Sequence, residues 1–285
     1  MPELPEVETV KRGLAPAMEG AVIKEVHLFR PDLRFPFPPS FKERLEGKRV
    51  VRLSRRAKYM VADLSSGESL IMHLGMTGKF MVLGQTTPDI YYHQVSHEGH
   101  IHLHMKVEGG EMGLADIHYA DPRRFGYMDL VPTAELAASK HFATMGPEPL
   151  SNAFTSAALR DALRGKATPI KSALLDQKVV AGLGNIYVCE ALFRAKISPR
   201  RMAKTIGPAR AARLVPIIKD VLEEAIAAGG SSLRDYAAAD GRMGAFQHEF
   251  QVYDREGQGC RVCNNVVSRI VQSGRSTFFC GNCQR

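Results

Sequence analysis

Three observations predict an α+β fold for this chain. Its first half is rich in short strand-like runs, a helical stretch follows a proline-bearing connection, and two cysteine pairs lie close to the end. With 285 residues, 45% hydrophobic and 24% charged, it has the composition of an ordinary globular protein and length for two domains. The start reads as a helix, because Pro5 suits a first helical turn and Glu3, Glu6 and Glu8 favour the positive end of the helix dipole. Leu4, Val7 and Leu14 fall near one face of it. Strands are predicted over 21–28, 48–63, 68–74, 79–83, 100–107, 118–120 and 124–131, a pattern of a β-sandwich or barrel with the first helix packed against it. The run Gly146-Pro147-Glu148-Pro149-Leu150 is a stiff boundary. Beyond it, apolar residues at helical spacing predict helices over 153–163, 170–175, 187–194 and 208–228.

Cys260, Cys263, Cys280 and Cys283 form two C-x2-C pairs, the spacing of a tetrahedral four-thiolate zinc site. Disulfides are the alternative, but C-x2-C pairs in a cytosolic protein seldom stay oxidised. Between the pairs, Val266, Val267, Ile270 and Val271 lead through Ser273-Gly274 to Thr277, Phe278 and Phe279, a predicted hairpin. The expected module is a zinc ribbon holding one structural Zn2+, and no organic cofactor is expected. Arg275 stands beside the hairpin tip, placed either to reach a phosphate or to screen the metal's thiolates. The remaining Cys189 reads as a buried helix residue.

The formal charge of +8 suggests a polyanionic partner. Two basic groups stand out, Lys48 to Lys58 and Arg200 to Arg213, although either alone also fits a solvated face. No apolar run approaches the ~18 residues needed to cross a bilayer, and the acidic N-terminus lacks the pattern of a signal peptide. A cytoplasmic protein without a membrane partner is expected.

Pro2 carries a second possibility. Removal of Met1 would leave it as a free secondary amine beside Glu3 and Glu6, and terminal amines titrate near ~7.7–8.0, so a useful fraction is nucleophilic at neutral pH. A helix start explains the same residues without chemistry. The turn Gly182-Leu183-Gly184-Asn185 opens a helix and can offer N–H groups to a phosphate, or serve tight packing alone. His93, His97, His100, His102, His104 and His118 crowd one region, but no ligand spacing with a carboxylate or cysteine accompanies them, which favours an exposed or DNA-facing strand over a second metal site.

Six motifs in order resemble the bacterial formamidopyrimidine-DNA glycosylase family: PELPEVETV at the start, RRAKY at 55–59, HLGMTG at 73–78, DPRRFG at 121–126, GLGNIY at 182–187 and the terminal cysteine module. The resemblance implies an N-terminal helix with a two-layered antiparallel β-sandwich (2–138), a hinge (139–152), a helix-two-turn-helix domain (153–250) whose loop 229–246 covers an extruded purine, and a zinc ribbon (251–285). It implies a monomer acting on damaged double-stranded DNA, a base-excision enzyme that removes oxidised purines and then cuts the strand as a lyase. By position, Pro2 resembles the family nucleophile and Glu3 its acid, with Glu6 a further catalytic candidate. Lys58 resembles the essential lysine. Met76, Arg123 and Phe125 match the trio inserted where the base is flipped out, Arg124, Asn185 and Arg275 match phosphate contacts, and Lys171 matches a basic position facing DNA. The stretch from Thr86 to Asp116 departs from the family pattern. Two alternatives remain at this point: an endonuclease VIII-type enzyme for oxidised pyrimidines, and a noncatalytic zinc-ribbon DNA-binding protein.

Overall fold

The computed structural model describes residues 2–84, 98–231 and 244–285. The chain divides into two compact units, one of Met1–Ala143 with Gly229–Ala245 and the other of Thr144–Ala228 with Phe246–Arg285.

The first unit opens with helix α1, Leu4–Met18. Two four-stranded antiparallel sheets follow, one ordered β1 (Val22–Leu28), β6 (Ile101–Gly110), β7 (Gly113–Ala120), β5 (Lys79–Gly84) and the other β2 (Val50–Arg56), β3 (Tyr59–Leu64), β4 (Glu68–His73), β8 (Tyr127–Pro132). A short helix α2, Phe41–Leu45, joins β1 to β2. Val7, Val10, Leu14 and Met18 of α1 share one core with Ile23, Phe80, Met105 and Ile117 of the first sheet and Leu53, Met60, Leu70 and Met72 of the second. Burial of such side chains contributes roughly 1.5–3 kcal/mol each, which makes this the main source of the unit's stability.

The predicted single strand over 48–63 is instead a hairpin. Arg56 pairs with Tyr59, and Ala57 between them adopts a left-handed φ of 53°. No glycine or asparagine marks that turn, so pattern alone ran through it. The strand predicted over 118–120 begins earlier, at Gly113, where φ of 73° suits a residue without Cβ. The histidine-rich strand faces two environments. His102 is buried with its ring against the Asp121 carbonyl (2.9 Å), while His104 lies 2.6 Å from Asp116 and stacks beside His27. His93 and His97 lie outside the described residues.

The second unit holds α3 (Ser156–Leu163), α4 (Ile170–Leu175), α5 (Asn185–Arg194) and α6 (Pro208–Ala227), then a hairpin of β9 (Ser268–Gln272) and β10 (Arg275–Phe279). The α3 helix starts later than predicted because Thr155 caps it, its Oγ1 accepting the Ala158 N–H at 3.1 Å. Glu190 on α5 is fully buried and accepts the backbone N–H groups of Gln251, Val252 and Tyr253 at 2.8–3.0 Å, which ties the helix to the segment leading into the hairpin. Cys189 packs with Phe193, Val252, Val267 and Phe278. It is the buried helix residue expected from sequence. Among the described residues no helix is long and apolar enough to cross a membrane.

Candidate active site

Pro2 is buried directly ahead of α1, and Glu3 and Glu6 beside it are 3% and 2% exposed. Glu3 takes the N-cap position, and its N–H donates to Glu6 Oε2 at 2.9 Å. The other Glu6 oxygen accepts from the Ser231 N–H (2.9 Å) and hydroxyl (3.1 Å). Gly230, with φ of 82°, is required here because a Cβ would stand 3.0 Å from Glu6 Oε1. Ser231 and Ala245 pair across the ends of the 232–243 segment, which itself lies outside the described residues. The middle of the expected covering loop therefore goes undescribed.

Lys58 sits in the β2–β3 turn and is largely buried. Arg55 fixes that turn, donating to the Ala57 carbonyl at 3.0 Å and pairing with Glu8 at 3.0 Å. Across the sheet lies His73, which sequence reading did not single out although it opens HLGMTG. Its Nδ1 accepts the Gly75 N–H at 3.1 Å, so the neutral ring carries its proton on Nε2 as a donor. Burial, then the nearby charges of Lys58 and Arg34, pull its pKa down to about 4. Tyr127 stacks on His73 and donates to the Tyr59 hydroxyl at 2.7 Å.

Two loops carry the expected inserted trio. Met76 and Phe125 are 38% and 40% exposed, and the Arg123 guanidinium lies 4.6 Å over the Phe125 ring. Large apolar side chains on a loop tip, not packed in the core, are what a wedge between bases needs. Gly75 allows the loops to touch, since a Cβ there would fall 2.3 Å from the Phe125 backbone. Asp121 staples them: fully buried, it accepts from the Thr77 hydroxyl, from the Gly126 N–H at 2.8 Å and from the Tyr119 hydroxyl. Sequence reading missed this carboxylate as a separate player, although its Asp-Pro turn signal was visible. Arg124 stands next to Arg123 in the left-handed region, φ 55°, with its side chain exposed.

In the second unit Asn185 begins α5, and its Nδ2 donates to the Ser276 carbonyl at 2.9 Å. Arg275 is exposed at the first position of β10, after Ser273 and Gly274 turn with φ of 50° and 71°. Lys171 departs from expectation. It is 0% exposed, and its Nζ lies 3.4 Å from the same Ser276 carbonyl. A buried ammonium needs acceptors, and here the hairpin backbone supplies one, which ties α4 to the hairpin.

The four cysteines meet. Their Sγ atoms all lie within 4.8 Å of one another, with Cys260 to Cys283 at 3.9 Å and Cys263 to Cys280 at 3.5 Å. Tetrahedral zinc with bonds of ~2.3 Å sets sulfur–sulfur edges of ~3.8 Å, so the donor set fits one zinc ion.

Three family models match in order: the formamidopyrimidine-DNA glycosylase N-terminal domain over residues 1–128, its H2TH domain over 145–237, and the zinc finger found in FPG and IleRS over 257–285. The chain is 58% identical to the formamidopyrimidine-DNA glycosylase of Cereibacter sphaeroides and 57% identical to that of Ruegeria pomeroyi, covering 100% of both sequences in each case. Among solved structures, the MutM (FPG) protein of Thermus thermophilus matches with TM-score 0.85 and 38% identity, covering 99% of this chain and 98% of that one. Lactococcus lactis Fpg in complex with abasic-site DNA matches with TM-score 0.86 and 35% identity over 100% of both chains. Fold, thiolate centre and comparisons together define a zinc-finger DNA glycosylase of base-excision repair. The chain belongs to the formamidopyrimidine-DNA glycosylase family, whose members also act as AP lyases, and it carries one structural zinc.

Proposed function

We propose that the protein removes 8-oxoguanine and formamidopyrimidines from duplex DNA through a covalent intermediate on Pro2, then cuts the strand by β- and δ-elimination. The observation that carries this reading is the buried grouping of Pro2, Glu3 and Glu6 at the head of α1. While Met1 is attached the Pro2 nitrogen is an amide without a nucleophilic lone pair, so its removal is the condition for activity.

The freed amine attacks C1′ of the damaged nucleoside and gives up its N–H proton, while the bond to the base breaks with its electrons leaving on the base, which takes up a proton. The C1′–O4′ bond then opens to an iminium, with Glu3 delivering the proton to O4′. The iminium acidifies C2′: loss of that proton expels the 3′ phosphate, and a second elimination expels the 5′ phosphate. Splitting one displacement into these steps is the advantage of covalent catalysis. Glu6 orients the group, since both its oxygens accept hydrogen bonds from Glu3 and Ser231. Lys58 places a point charge for the DNA backbone beside the reacting sugar. Met76 and Phe125 fill the space of the flipped nucleotide while Arg123 meets the orphaned base. Arg124, Asn185 and Arg275 hold phosphates without reading sequence. Loop 229–246 covers the extruded purine, and the domain limits given by the resemblance, 2–138, 153–250 and 251–285 around the 139–152 hinge, serve this division of labour. The protein works as a monomer on the DNA of the bacterial cytoplasm.

The 35–38% identity to solved Fpg structures and the 58% identity to a curated relative support the purine enzyme over an endonuclease VIII-type one. Duplexes carrying 8-oxoguanine opposite cytosine and thymine glycol opposite adenine test it side by side. The expected result is faster cleavage of the first, leaving phosphate on both ends of the gap. Preference for thymine glycol would refute the purine assignment.

A further inference from the structure

Five of the ten described arginines of the first unit pair with carboxylates within it. Arg12 and Arg55 pair with Glu8, Arg30 with Asp32, Arg44 with Glu68 and Arg52 with Asp63. Arg34, Arg123 and Arg124 are the contrast: among the described residues none has a carboxylate partner, yet all three line one cavity of about 400 Å³ together with Leu33 and Phe125. The nearest acids by sequence are already committed. Asp32 holds Arg30 at 2.8 Å, and Asp121 faces inward to the loop staple. Like charges gathered around a cavity repel, and an anion seated there offsets that repulsion.

Arg34 is also held in place. Its N–H donates to the Gly126 carbonyl at 3.1 Å, which docks the 29–37 arch on the wedge loop. The arch closes on itself through the Asp32–Pro36 bridge and the Phe37 N–H to the Pro31 carbonyl (3.1 Å), with Leu33 buried beneath it. Phe35 packs edge-on against Tyr127 at 5.5 Å. A charged side chain on a closed arch loses little freedom on binding, and planar guanidinium forks match phosphate oxygens.

We propose that this cavity is a phosphodiester seat on duplex DNA and that Arg34 is a DNA-binding residue beside Arg123 and Arg124. The proposal rests on the glycosylase reading above and adds a contact that none of the six motifs contains. The seat recognises backbone charge, so it acts alike on damaged and undamaged duplex.

Binding titrations across salt concentration, on lesion-bearing and lesion-free duplexes, test it. Each phosphate contact adds about 0.9 to the slope of log K against log salt. Arg34→Ala is expected to lower the slope by about that amount on both duplexes, and Arg34→Lys to keep the native slope, because counterion release follows charge. An unchanged slope in Arg34→Ala overturns the seat. A slope lowered equally in Arg34→Lys also overturns it, since the loss would then come from the fold of the arch. If the native protein forms a borohydride-trapped adduct while either of these results is found, the glycosylase reading stands and the seat alone fails. If the native protein forms no adduct, it is the glycosylase reading that fails.

Discussion

A carboxylate whose two oxygens accept backbone N–H groups is fixed in place, and this gives Glu6 an orienting part in the proposed chemistry. Glu6 links the start of α1 to Ser231, so its substitution should loosen the placement of Pro2 without removing a proton donor from the sugar. His73 makes the other argument at this scale. In the fold its imidazole binds a proton only near pH 4, because burial and the charges of Lys58 and Arg34 oppose it, whereas in an unfolded chain histidine titrates near ~6.5. Between those values the unfolded state binds the proton and the folded state does not. Stability contributed by the neutral ring is therefore present above ~6.5 and is lost as pH falls toward 4. The melting temperature should drop across that window, and His73→Asn, which keeps an acceptor near Nδ1, should flatten the drop. Equal slopes for the two proteins would contradict the assignment. His73 was not legible because only the folded sheet brings it across from the Lys58 turn, and the burial of Lys171 was not legible because its charge alone predicts exposure.

Among elements, those with a strong period or a covalent-geometry signal were legible and those made by a single unusual backbone angle were not. The α6 helix ends within one residue of its expected range, and the ribbon hairpin follows from the apolar runs around Ser273-Gly274. The β2–β3 turn was invisible because Ala57 adopts a left-handed angle that alanine rarely takes. The wedge is legible as residues and illegible as geometry: Met76 and Phe125 are 49 positions apart in sequence, and the Asp121 staple and the close approach at Gly75 bring their loops together. The ribbon depends on its metal for the same reason that small modules need staples, since its apolar cluster is small. Removing zinc with a chelator should unfold the 260–283 region and weaken DNA binding while the sandwich keeps its secondary structure. Hydrogen exchange followed peptide by peptide checks this; protection lost equally in β2–β4 and in the ribbon would contradict it. The hairpin around Ser276, whose carbonyl accepts from Asn185 and Lys171, should lose amide protection together with the cysteine knuckles.

For the molecule as a whole, the α+β class, a sandwich or barrel, the helical region and the zinc ribbon were legible in the sequence because each has its own period or spacing, whereas the choice of a two-layered sandwich came with the family resemblance. What the fold adds is the accounting of charge. The basic run from Lys48 to Lys58 looked like a DNA wall, but Arg52 and Arg55 pair with Asp63 and Glu8, and three arginines without a carboxylate partner among the described residues lie on the arch and the wedge loop. All of this serves one nucleophile. The most direct measurement is borohydride reduction of the Met-processed protein on a duplex containing 8-oxoguanine opposite cytosine, with the adduct mapped by mass spectrometry. The expected result is a covalent protein–DNA adduct on the peptide beginning at Pro2 and much weaker trapping in Pro2→Gly. No adduct, or an adduct carried by a lysine such as Lys58, would contradict it.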